Sequence, residues 1–133
     1  MNAWPTYLDD ERLAQLRSPA IDQETLKIRY DPTCPSEWYR GYATGLMAAR
    51  AELVQATTVS NAARLVDTLD QSFQVPDDRS GPVSQPLAGY KFALMNAYLY
   101  ATSASSVQQI LHTLDVELPC IAYGFFANRQ RGL

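Results

Sequence analysis

The stretch SEWYRGYATGLMAARAELVQA, residues 36–56, decides the fold. Its larger apolar residues recur at Trp38, Tyr42, Leu46, Ala49, Leu53 and Ala56, steps of four, four, three, four and three that trace one face of a helix. This spacing predicts a helix over residues 37–56. A second row along it, Gly41, Gly45 and Ala48, consists of small residues about a turn apart. Two glycines inside a helix cost about 1 kcal/mol apiece relative to alanine. They therefore predict the close approach of another helix backbone, from within the domain rather than from a second subunit.

Working outward, the chain reads as further helices. Thr6 is positioned to cap a helix over 7–17, with Asp9, Asp10 and Glu11 at its positive end and Pro19 beyond it. Ser60 precedes a helix over 61–73, with apolar positions at Ala62, Leu65, Val66, Leu69 and Phe73. Residues 74–85, with Pro76, Pro82 and Gly81, have the composition of an exposed connection. Pro86 opens a helix over 87–102 with one stripe at Leu87, Tyr90, Leu94, Ala97 and Ala101 and another at Phe92, Met95 and Leu99. A helix apolar nearly all round is expected innermost. Ser105 caps a last helix that Pro119 is expected to end, and residues 120–133 stay open between strand and helix. Only Leu26, Ile28 and Tyr30 alternate with period two, which predicts a short strand and a minor two-stranded ribbon with Cys120–Phe126. The expectation is one all-α domain over 1–133, an irregular bundle of five or six helices, with that ribbon as a minor addition. No internal repeat is present, which disfavours a tetratricopeptide-like array.

Composition narrows the function. With 133 residues, 47% of them hydrophobic, and a net charge of -3, the chain is globular and lacks the positive field of a nucleic-acid-coating protein. No basic-then-apolar leader opens it, and its longest apolar runs span about half a bilayer crossing. Cys34 and Cys120 have no C-x-x-C partner. The reading is a soluble, cytoplasmic protein with reduced thiols and no membrane partner.

Chemical equipment is sparse. His112 is the sole histidine and shares a polar helix face with Gln108 and Asp115, which reads as a solvated ring and leaves too few ligands for zinc. Cys34, between Pro32 and Pro35, could serve with His112 as a nucleophile–base pair, but the simpler reading is a small residue in a turn. Asp9-Asp10-Glu11 and Asp77-Asp78 read as surface charge, and no phosphate-binding glycine loop is present. Residues 57–65 fit a helix-turn-helix, yet the second helix would offer Arg64 alone against Asp67 and Asp70, where DNA binding needs several cations. No cofactor is called for.

One segment stands apart. From Gly81 to Asn128 only Lys91, Asp115 and Glu117 are ionised, while seven of the fourteen aromatics fall there. Charge depletion with aromatic enrichment marks either an interface core or the domain's own centre. The interface reading assigns partner contacts to Tyr98, Tyr100, Tyr123, Phe125 and Phe126, with Arg129 and Arg131 at the rim.

The run Trp38-Tyr39-Arg40-Gly41-Tyr42 followed by Gly45, Ala48 and Ala49 resembles helices in small proteins of phages and mobile elements, a group that includes inhibitors of host defence systems. It covers about a tenth of the chain and carries over no functional residues. The expected function is therefore non-catalytic binding of a protein partner, as an inhibitor or adaptor, with a homodimer as one form. A DNA-associated regulator and a small Cys34/His112 enzyme are the alternatives.

Overall fold

The computed structural model describes residues 5–72 and 84–133, and six α-helices account for most of them: α1 Asp10–Gln15, α2 Gln23–Arg29, α3 Ser36–Leu53, α4 Val59–Ser72, α5 Gln85–Ser103 and α6 Val107–Gln130. No strand occurs among the described residues, so the all-α reading holds and the ribbon does not form. Phe73 and nearly all of the connection expected over 74–85 lie outside the described residues.

The strand expected at 26–30 is α2. Asp22 caps it, accepting from the backbone N–H of Glu24 at 3.0 Å and of Thr25 at 3.3 Å, and Tyr30 leaves it in an extended conformation. With the Thr25 hydroxyl, which donates at 2.9 Å, three donors satisfied at one Asp outweigh a weak alternation of period two, and Ile28 consequently points outward. Caps move by a residue or more elsewhere too. Asp9, not Thr6, caps α1 through Arg12 N–H. Ser84 caps α5 ahead of Pro86, and Ser106, not Ser105, caps α6 through Gln109 N–H. The Gln109 side chain in turn accepts from the N–H of Ser105, one residue ahead of the cap, at 2.8 Å.

Pro119 does not stop α6, which runs on to Gln130. The proline removes one hydrogen bond at about 3 kcal/mol. Continuing the helix buries Ile121, Ala122, Phe125 and Asn128 against its neighbours, and at about 1.5–3 kcal/mol per large apolar side chain that burial wins.

α3, rather than α5, is the innermost helix. It packs against α4, α5 and α6 and is covered on nearly every side from Tyr39 to Leu46. The expected crossing at Gly41 and Gly45 is present, and α5 answers with Gly89. A Cβ at Gly41 would sit 1.8 Å from the Pro86 carbonyl oxygen, and one at Gly89 would sit 2.0 Å from that of Trp38. At Gly45 it would meet the Ala93 Cβ and the Tyr90 carbonyl at 2.7 Å. Backbone thus lies on backbone, which compensates the helix-propensity cost of the glycines. α5 buries the stripe Leu87, Tyr90, Leu94, Ala97 and Ala101 and leaves the second stripe outside.

Candidate functional site

The outward face of α5 is apolar. Phe92, Met95 and Leu99, at 43, 49 and 52% exposure, occupy i, i+3 and i+7, and Tyr98 is exposed beside them. Lys91, the helix's one charge, is bound to Asp70 at 2.8 Å. Across a groove of 250 Å³ lies Ile28 of α2, 76% exposed. Trp38 and Phe92 form the groove's aromatic wall, with ring centroids 5.7 Å apart, while Tyr42 and Asn96 supply a polar floor. Asn96 Nδ2 donates to the Tyr42 hydroxyl at 2.8 Å. Apolar walls over a few fixed polar groups are the build of a pocket that accepts one anchoring side chain.

A buried polar cluster stands beside this groove. Glu117, 2% exposed, accepts from Tyr100 Oη and lies 2.7 Å from Arg29 Nε through the same oxygen, Oε1. Arg29 Nη2 also donates to Tyr100 Oη at 2.7 Å. Burial raises the Glu117 carboxyl above its ordinary value, with Tyr100 and Arg29 pulling the other way. Burial and the neighbouring carboxylate raise the Tyr100 hydroxyl strongly. The cluster fixes α2 against α5 and α6 and so sets the groove's shape.

The residues assigned to partner contact fall into different settings. Tyr98 is on the α5 face, and Tyr100 is held inside by Glu117 and Arg29. Phe125 is fully buried, so its expected surface role is corrected to a core one: helical phase past Pro119 turns it inward against Phe126. Tyr123 is exposed and Phe126 half-buried, and both line a separate groove with Arg17. Arg129 is not a free rim charge but pairs with Asp10, whose carboxyl Arg40 and Arg129 together hold below the ordinary range. Arg131 is exposed over the Tyr30 ring.

Sequence reasoning did not find Asn128. Fully buried, it donates to the carbonyls of Asp31 and Cys34, both at 2.8 Å, and accepts from Tyr30 Oη at 2.9 Å. Its signal was the spacing Leu118, Ile121, Phe125, Asn128, legible only if α6 continues through Pro119.

Cys34 and His112 are not brought together. Cys34 bonds to Asn128, sixteen residues beyond His112 on α6, or about 24 Å at 1.5 Å per residue. Burial and Asp31 push the Cys34 thiol up to about 11. No group of three His, Cys, Asp or Glu side chains able to hold a metal occurs among the described residues. On α4, Arg64 and Asp67 are both exposed, as the helix-turn-helix reading requires of a docking face, but no further cation of α4 joins Arg64. α6 is long and apolar enough by composition to cross a membrane, yet half of that stretch is buried in the fold, as for a core helix. No family model, curated protein or solved structure matches the chain.

Proposed function

We propose that the protein acts by binding another protein through the outward face of α5, without catalysis, as an inhibitor or adaptor. The observation that carries this reading is the uncharged stripe Phe92, Met95 and Leu99, extended by Tyr98 and, across the groove, by Ile28. Contiguous exposed apolar surface on a small domain marks an interaction site, and Met, Phe and Tyr are the residues enriched there. The groove supplies the pocket an anchor needs. The two free cysteines fit a cytoplasmic setting, where thiols stay reduced. The resemblance to small phage and mobile-element proteins supports the inhibitor form.

The test is photo-crosslinking in lysate from a probe placed at Met95, compared with a probe at Arg64 on the exposed side of α4. A discrete adduct from position 95 alone, lost with Leu99→Asp while the melting temperature holds, is expected. Capture that survives Met95→Asp together with Leu99→Asp overturns the reading.

A further inference from the structure

The C-terminal half of α6 carries a groove of different chemistry, which shares no residue with the α5 face. Its volume is 340 Å³. Ile21, Tyr123, Phe126 and Ala127 form apolar walls, and Arg17, Ser18 and Gln130 supply the polar groups. The guanidinium carbon of Arg17 lies 3.7 Å from the Phe126 ring centroid. Stacking of this kind occupies the flat face of the guanidinium and leaves the N–H groups along its edge to point away from the ring. The Ser18 hydroxyl accepts from Ala20 N–H at 3.2 Å, and its own hydrogen has no acceptor among the described residues.

Arg17, with Arg12, Arg64 and Arg131, is one of four described arginines of this acidic chain that no carboxylate among the described residues pairs. Arg29, Arg40, Arg50 and Arg129 each lie within salt-bridge distance of a carboxylate, whereas Arg17 has none among the described residues. Arg131 adds to the same positive end. It also lacks a carboxylate partner and sits 6.0 Å from the Tyr30 ring, which meets Tyr123 edge-on at 5.3 Å.

We propose that this groove binds a carboxylate carried on a small apolar body. One planar guanidinium matches one carboxylate through two parallel N–H···O bonds, and Ser18 is placed to give a third. Tyr123, Phe126 and Ile21 cover the apolar part, and a volume near the lower end of small-molecule sites suits a group the size of one ring. The carboxylate belongs either to a free aryl or alkyl acid or to the C-terminus of a protein chain ending in an apolar residue.

The experiment follows the Tyr123 and Phe126 ring protons by NMR while phenylacetate or its neutral isostere phenylacetamide is added at millimolar concentration. Phenylacetate is expected to shift both rings and to bind at least about tenfold more tightly than the amide, as a charge-assisted pair requires. Arg17→Gln should remove that preference at an unchanged melting temperature, and Arg17→Lys, which keeps the charge but loses the fork, should retain part of it. A peptide ending in free Phe, set against the same peptide amidated, distinguishes the sources. Tighter binding of the free peptide than of phenylacetate assigns the site to a protein C-terminus, and weaker binding assigns it to a free acid. Equal binding of acid and amide, absence of shifts at Tyr123 and Phe126, or a preference for a dinucleotide phosphate over phenylacetate overturns the proposal. None of these outcomes bears on the α5 face.

Discussion

Arg29 Nε and Glu117 Oε1, eighty-eight residues apart in sequence, form a 2.7 Å ion pair inside the fold, while the second oxygen of Glu117 has no partner among the described residues. The pair joins a seven-residue helix to the longest one, and it sits where the proposed protein-binding groove begins.

The pair is stabilising only in the sense that breaking it is costly. Arg29→Met should destabilise the protein by about 3–5 kcal/mol, because a buried carboxylate is left without its cation. pH gives a second measurement. The folded-state value of Glu117 is raised by burial, so the folded protein holds this proton more readily than the unfolded chain. Its contribution is then full below the ordinary carboxyl range and is lost as pH rises through the folded value. Glu117→Gln, neutral at every pH, should therefore gain in melting temperature relative to the parent as pH rises above the ordinary carboxyl range. A gap moving the other way would show that the Arg29 attraction exceeds the burial cost.

Asn128 closes the other end of α6. Asn128→Asp places a carboxylate against the carbonyls of Asp31 and Cys34 in a fully buried position; the Asp31 oxygen keeps the Tyr39 hydroxyl, but the Cys34 oxygen loses its donor and both face a new negative charge. Each unsatisfied buried group costs about 1–3 kcal/mol. Asn128→Asp should thus lower stability more than Asn128→Ala in urea denaturation, although Asp is the closer match in shape.

Much of this architecture was legible in the sequence, and the failures share a cause. Eighteen residues of α3 and nineteen of α5 give enough turns for the 3.6-residue period to identify a buried face on each; the second stripe of α5 was equally visible, but periodicity alone did not show that it lies outside. Seven residues of α2 do not, so Leu26, Ile28 and Tyr30 imitate a strand. At Pro119 a local rule was set against burial of the whole following segment, and burial prevailed. Stopping the helix there erased the phase that separates Phe125, inside, from Tyr123, outside. Neither the Arg29–Glu117 pair nor the Arg17–Phe126 stack has any local signature, since each depends on where distant elements meet.

The α3–α5 crossing makes glycine the stabilising choice against its own propensity. In an open helix Gly→Ala gains about 1 kcal/mol. Gly41→Ala should reverse that sign, since its Cβ would fall 1.8 Å from a backbone oxygen that cannot rotate away. Gly45→Leu should cost about 1–3 kcal/mol as overpacking. Calorimetric stability equal to or above the parent's for either variant would contradict the close approach.

Core and face residues of the charge-poor segment should now separate cleanly. Phe125→Ala removes a fully buried ring and should cost about 3–5 kcal/mol. Leu99→Ala, on the outward stripe, should stay within about 0.5 kcal/mol. Tyr100→Phe lies between them, because the buried Glu117 loses a donor at about 1–3 kcal/mol. Thermal unfolding of the three variants checks the order.

The last prediction concerns the Cys34 thiol, which a nucleophilic role would require to ionise near neutral pH. Burial and, after it, the charge of Asp31 push it up to about 11, and the position ahead of α3 does not offset them. Only the thiolate reacts with iodoacetamide, so alkylation of Cys34 should be slow at neutral pH and rise with pH towards a midpoint near 11 rather than near the ordinary 9.0. Replacing Asp31 with Asn removes the second cause while sparing the backbone carbonyl that Asn128 and Tyr39 use, and it should bring that midpoint down. Mass spectrometry of the Cys34 peptide across a pH series measures it. Fast alkylation at pH 7 in the folded protein would show a reactive thiol, though one held beside Asn128, about 24 Å along α6 from His112, the only histidine.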